Sequence, residues 1–117
     1  IEAVPDGFAV FSGDDATALE LMRRGGQGNV SVTANIAARD MAAMCNLALT
    51  GEWEAAAEID ARLSALNDLL FIEANPIPVK WVMAQRGMIE DGIRLPLTPL
   101  SEPCRGDLER ALETYFA

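Results

Sequence analysis

Hydrophobic and polar positions change their period along this chain, and the change predicts two short strands followed by helices. Phe8–Ser12 is a short apolar run that ends at a glycine, which is typical of a buried strand. Residues 29–34 alternate valine with serine and threonine, so a strand there would carry methyl groups on one face and hydroxyl groups on the other. The apolar stripe of residues 16–24 predicts a helix between them. Two strands joined by one helix form a right-handed parallel βαβ unit.

The remainder of the chain has a helical period. Helices are predicted over residues 37–50, 52–73 and 77–86, with Gly51 and the NPIP segment as breaks. The segment RLPLTPL predicts an extended connector. A last helix is predicted from apolar positions spaced i, i+3, i+4, i+7 and i+8, which are Leu108, Ala111, Leu112, Tyr115 and Phe116.

This layout predicts a particular fold class. Purely parallel sheets occur almost only with both faces covered, and two strands alone leave open edges. We therefore expect an α/β fold in which residues 1–50 form the last two βα units of a (β/α)8 TIM barrel and residues 51–117 form a C-terminal helical domain. A barrel of about 250 residues allots about 30 residues to each unit, a little more than the spacing seen here. The start at Ile1 without a methionine fits a piece of a longer protein.

Charge and composition narrow the classes of function. The net charge of −9 argues against a nucleic-acid partner and against adsorption to an anionic membrane. The sequence contains no histidine, which argues against a zinc site or a Ser-His triad within this chain. Cys45 lies on an apolar helical face beside Met41 and Met44, so it is interpreted as a buried free thiol.

Two adjacent acids follow the first predicted strand, at the end where barrel enzymes place their chemistry. Asp14 and Asp15 could bind a metal or act as acid and base. The sequence favours the alternative that one aspartate caps the next helix and the other is solvated. The glycine-rich segment 25–28 follows a helix and not a strand, so it is interpreted as a helix end and a turn.

The NPIPVKW segment holds two further candidates. Lys80 is the only lysine and hence the only candidate for Schiff-base chemistry within this chain, although a solvated or salt-bridged role is favoured. Asn75 precedes Pro76 through a bond that can be cis. Its amide could serve a ligand or cap the following helix, and both alternatives stay open.

Four segments, SGDD, SVTAN, NPIPVKW and RLPLTPL, carry a family resemblance. Their order and spacing resemble the C-terminal portion of the dihydrodipicolinate synthase family, and the resemblance extends from about Phe8 to Phe116. N-acetylneuraminate lyases share the barrel and the Schiff-base lysine, but they are expected to lack SVTAN and NPIPVKW.

The resemblance implies an enzyme, a lyase of the diaminopimelate route to lysine. The family condenses pyruvate with aspartate semialdehyde, without a metal or organic cofactor, through a Schiff base between pyruvate and a barrel lysine. It further implies a cytoplasmic homotetramer. The nucleophilic lysine and the catalytic tyrosine belong upstream of Ile1, so the chain alone is predicted to be inactive without the upstream half of the same enzyme. Lys80 and Tyr115 do not match the family's lysine and tyrosine.

The same resemblance implies no catalytic residue here but four substrate-binding residues. Val30 matches the eighth-strand residue whose main-chain carbonyl lies over bound pyruvate. Gly13 and Asp14 match positions that line the pocket for the second substrate, and Asn75 approaches that pocket from the helical domain. Two alternatives stay open: a catalytically inactive, mainly helical interaction module that stands alone, and a related pyruvate-dependent aldolase.

Overall fold

The computed structural model describes residue 1 and residues 3–117. The elements, in chain order, are β1 (Phe11–Ser12), a 3-10 turn (Asp15–Thr17), α1 (Ala18–Arg23), β2 (Gly28–Asn29), α2 (Ala34–Thr50), α3 (Trp53–Leu69), α4 (Ile77–Gln85) and α5 (Glu102–Phe116). The chain divides into two compact units, Ile1–Leu63 and Ser64–Ala117, and the division falls within α3. The predicted boundary after residue 50, between the end of the barrel and the helical domain, stays a prediction.

The first unit contains the predicted parallel βαβ arrangement. β1 pairs with β2 in parallel, with Phe11 opposite Gly28 and Ser12 opposite Asn29, and α1 makes the crossover. α1 ends at Arg23, where the amide of Gly25 donates to the Met22 carbonyl at 2.9 Å. Gly25 has a φ of 103°, a conformation that glycine adopts readily. The prediction that the glycine-rich segment ends a helix is therefore confirmed.

Both strands are shorter than the predicted ranges Phe8–Ser12 and 29–34, which were wrong in extent. In the second strand, regular pairing stops at Asn29 because the chain then turns into α2. The amides of Ile36 and Ala37 donate to the Thr33 carbonyl at 3.0 and 2.9 Å, which is helical bonding. Before β1, the Gln27 amide still donates to the Val10 carbonyl at 2.8 Å, but the Val10 amide donates to the Gln27 side chain at 2.6 Å.

Methionines of α2 and apolar residues of α1 form the core of the first unit. α2 begins at Ala34, three residues earlier than predicted, with a non-helical φ of −127° at Ala37. Its regular part after that kink matches the predicted helix 37–50. Gly51 ends α2 in the left-handed region, as predicted. The buried apolar residues of α1 and α2 are Ala18, Leu19, Met22, Ala37, Met41, Met44 and Ala48.

The second unit is helical apart from its connectors. α3, which leads into it, ends at Leu69, earlier than the predicted residue 73, because single turns at residues 71 and 72 replace the helix once the apolar stripe has ended. α4 agrees with its prediction to within one residue. Segment 94–100 contains neither helix nor strand, but it is not extended throughout, because the Leu97 amide donates to the Arg94 carbonyl at 3.2 Å and closes a turn. α5 buries Leu108 and Leu112. Along the described part of the chain, no helix has the length and apolar character needed to cross a membrane.

Candidate functional site

The carboxyl ends of β1 and β2 bring three of the predicted site residues together. Because Ser12 lies opposite Asn29, the next residues along the two strands, Gly13 and Val30, are neighbours at the same edge. The Val30 amide donates to the Ser12 carbonyl at 2.8 Å, which fixes that proximity. Adjacent parallel strands lie about 4.8 Å apart, so a small molecule at this edge can contact both strand ends.

A serine-centred turn shapes the end of β1. Ser12 is buried; its hydroxyl donates to the Asp14 carbonyl at 2.8 Å, and it accepts from the Asp14 amide at 3.1 Å. The Asp14 side chain accepts a hydrogen bond from the Thr17 hydroxyl at 2.6 Å and remains exposed. A Cβ atom added at Gly13 would meet none of the described atoms within 4 Å. The turn therefore presents one carboxylate beside an open space.

The expectation that one aspartate caps the helix and the other is solvated is only half right, because Asp14 is exposed but Asp15 is buried. Its side chain is only 1% exposed. Its Oδ2 accepts hydrogen bonds from the amides of Val32 and Thr33, both at 2.9 Å, and its Oδ1 accepts from Asn29 Nδ2 at 2.6 Å. A buried carboxylate is tolerated only when such donors replace water. The Asp14 side chain does not cap the helix either, since no main-chain amide in the described part of the chain donates to it.

Asn29 connects this carboxylate to the core beneath it. Its Nδ2 also lies 3.7 Å from the sulfur of Met41, while its Oδ1 is buried without a hydrogen-bond partner among the described residues. Burial raises the pKa of the neighbouring Cys45 thiol; a hydrogen bond to the main chain of Asn29 opposes that rise, and the Asp15 carboxylate adds to it. Cys45 is a free cysteine, as predicted, but it is half-buried and not fully buried.

The alternation of residues 29–34 predicted that the hydroxyl groups of the SVTAN segment share one face of a strand, and this prediction is wrong. The Ser31 hydroxyl accepts from the Ala34 amide at 2.8 Å and so helps to begin α2, whereas Thr33 is fully buried. The Val30 side chain is 73% exposed. The polar groups of this segment thus shape its main chain.

Asn75 and Lys80 lie in the second unit. Asn75 is exposed and forms a cis peptide bond with Pro76, the isomer that the sequence allowed. Pro76 itself is the residue before α4, so the alternative that Asn75 caps that helix is wrong. Lys80 lines a cavity of about 210 Å³ together with Trp81 and Arg105. Its ammonium group forms no ion pair with any residue that the structure describes.

A carboxylate also organises the start of α5. Glu73 accepts from the Ser101 amide at 3.4 Å, from the Ser101 hydroxyl, and from the Cys104 thiol at 3.6 Å. The hydrogen bond from the Ser101 hydroxyl lowers the pKa of Glu73, and partial burial opposes this effect. The Ser101 amide and the Cys104 thiol lower the pKa further. This cluster fixes the entry to α5.

Sequence reasoning missed the roles of Asp15 and Asn29. Both lie beside candidates that the motifs had identified, but their bonds join residues 14 to 18 positions apart. The available signal was the doubled aspartate together with an asparagine at the end of the next strand. The meaning of this signal depends on the hydrogen bond between Asp15 and Asn29, which the sequence does not show.

The model of the dihydrodipicolinate synthetase family matches residues 1–115. The 4-hydroxy-tetrahydrodipicolinate synthase of Marinobacter nauticus is 54% identical over 113 residues, which cover 97% of this chain and 39% of that protein. The chain therefore spans about two fifths of the length of this relative.

Solved structures agree with these sequence matches. The chloride-inhibited dihydrodipicolinate synthase of Acinetobacter baumannii, complexed with pyruvate, superposes with a TM-score of 0.90 at 48% identity, over 93% of this chain and 38% of that one. The Aquifex aeolicus dihydrodipicolinate synthase gives 0.95 at 38% identity, over 98% and 39%. The predicted fold class, the end of a TIM barrel followed by helices, is confirmed. This chain belongs to the dihydrodipicolinate synthetase family.

Proposed function

We propose that this chain is the C-terminal part of a lyase that condenses pyruvate with aspartate semialdehyde through a lysine Schiff base, a step of diaminopimelate and lysine biosynthesis. The observation that carries the proposal is the family match over residues 1–115, together with the paired strand ends at Gly13 and Val30. The chain covers 39% of its Marinobacter relative, so the activity belongs to a complete protein with an upstream part.

An upstream part fits the exposed apolar surface of the first unit. Phe8 and Phe11 are 60% and 53% exposed, beside the two-stranded sheet that the described residues form. Parallel strands normally have neighbours and covered faces, so further barrel strands would bury these rings. We assign the nucleophilic lysine and the catalytic tyrosine to that upstream part, and we expect the complete enzyme to be a cytoplasmic homotetramer.

The residues of this chain act in substrate binding. The main chain of Val30 faces pyruvate, so its side chain can change among aliphatics without loss. Gly13 and Asp14 line the pocket of the second substrate: the glycine leaves open space, and the exposed aspartate offers an acceptor. The assignment of Asn75 to the same substrate rests on the family resemblance. No metal or organic cofactor is required, because the protonated imine withdraws electrons itself.

The test is a hybrid enzyme, defined as the Marinobacter nauticus synthase whose matching C-terminal segment is replaced by this chain. Pyruvate and aspartate semialdehyde are supplied, and the condensation rate is compared with that of the unaltered relative and of its upstream part alone. We expect the hybrid enzyme to turn over within about tenfold of the relative, because 54% of the exchanged residues are identical. A folded but inactive hybrid enzyme would refute the proposal.

Two further measurements locate the chemistry. Borohydride reduction in the presence of pyruvate should leave a pyruvyl adduct on an upstream lysine; an adduct on Lys80 would overturn the assignment. Val30→Ile should retain activity within about threefold, whereas Val30→Pro should abolish it because proline lacks the amide that binds Ser12. Equal loss in both variants would contradict a main-chain role.

A further inference from the structure

The Asp15 carboxylate binds a side chain just before Val30 and two main-chain amides just after it. One oxygen binds the side chain of Asn29, the residue before Val30, at 2.6 Å. The other oxygen binds the amides of Val32 and Thr33, which follow it, at 2.9 Å each. We propose that Asp15 is a positioning residue that orients the Val30 main chain to receive pyruvate; this inference rests on the proposed function.

The burial of Asp15 makes its hydrogen bonds costly to lose. With 1% of its surface exposed, the carboxylate depends on these protein donors in place of solvent. Its hydrogen bonds link the end of the first barrel strand of this chain to the segment after the second strand. Residues that hold a reacting or binding group in place affect rates steeply, since a misplacement of about 1 Å can cost about 100-fold.

The positioning role requires an acceptor oxygen at residue 15. Variants of similar side-chain size, with and without such an oxygen, test this requirement. Asparagine keeps one oxygen for the two amides and turns its own NH2 group toward Asn29. The Oδ1 of Asn29, which has no partner among the described residues, can accept from that NH2 group after a rotation of the Asn29 amide. Leucine has a similar size and offers no acceptor.

The experiment compares Asp15→Asn and Asp15→Leu in the hybrid enzyme. We expect Asp15→Leu to raise the KM for pyruvate by about tenfold or more, with a smaller change in kcat per folded molecule. Asp15→Asn should stay within about threefold of the parent. Glu20→Gln, which changes an exposed carboxylate of α1 paired with Arg24, is the matched control and should leave KM unchanged.

Hydrogen exchange separates this inference from the proposed function. In Asp15→Leu, the amides of Val32 and Thr33 should lose protection, while Asp15→Asn should retain it, whether or not the hybrid enzyme is active. An inactive parent would count against the proposed function alone. Unchanged protection in Asp15→Leu, an unchanged KM in a folded Asp15→Leu, or an Asp15→Asn variant as impaired as the leucine variant would overturn the positioning role.

Discussion

Leu108→Ala measures how firmly α5 is attached to the second unit. Leu108 has no exposed surface, and with Leu112 it forms the buried stripe of this otherwise polar helix. The substitution removes three carbon atoms, which at about 0.8 kcal/mol each is about 2.4 kcal/mol of transfer free energy. Leucine-to-alanine changes in cores add a cavity contribution and cost about 2–5 kcal/mol. We therefore expect a loss of about 3 kcal/mol in the stability of α5.

Native-state hydrogen exchange is the appropriate assay, because it reports the opening of a single helix and not only global unfolding. A loss of about 3 kcal/mol corresponds to a rise of about 100-fold in the exchange rates of the α5 amides that open with the helix. The control is Glu109→Ala, an exposed neighbour in the same helix. A rise below about fivefold in Leu108→Ala, or an equal rise in the control, would refute the idea that buried leucine contacts hold α5.

Two other predictions follow from the titrating groups. The pKa of Glu73 is lowered by its bond to the Ser101 hydroxyl, so Glu73 stabilises the fold above its unfolded pKa of about 4.3 and loses this effect as the pH falls through its folded value. Glu73→Gln should therefore reduce the dependence of denaturant midpoints on pH below about 4.5; an unchanged acid dependence would argue against the bond. Burial raises the pKa of Cys45, so peptide mass spectrometry at pH about 8 should find it alkylated several-fold more slowly than glutathione, and equal rates would contradict its burial.

Helices were largely predictable because their stripes repeat locally. The spacing of Leu63 and Leu66 in α3, and of Leu108 and Leu112 in α5, identified faces that the structure buries. Gly51 marked a helix end through its left-handed conformation, which depends on the residue itself. Such signals arise within a few residues and therefore appear in the sequence.

The strand ends were less predictable because their geometry depends on distant partners. The alternation of residues 29–34 predicted a strand over the whole segment, but the Asp15 carboxylate binds the amides of Val32 and Thr33, and the chain then enters α2. Nothing in the period of that segment encodes an acceptor 17 residues away. The candidate residues Gly13, Asp14 and Val30 came from the family resemblance, and their proximity follows from the strand register.

The open space beside Gly13 distinguishes what folding requires at this position from what substrate binding requires. Its φ is not in the left-handed region, and an added Cβ would touch none of the described atoms. Folding of this unit therefore does not demand glycine at position 13. If the proposed pocket is correct, natural variation at this position reports the size of the molecule that occupies it. A library of small residues at Gly13 would thus test substrate preference at a position where an added Cβ meets none of the described atoms within 4 Å.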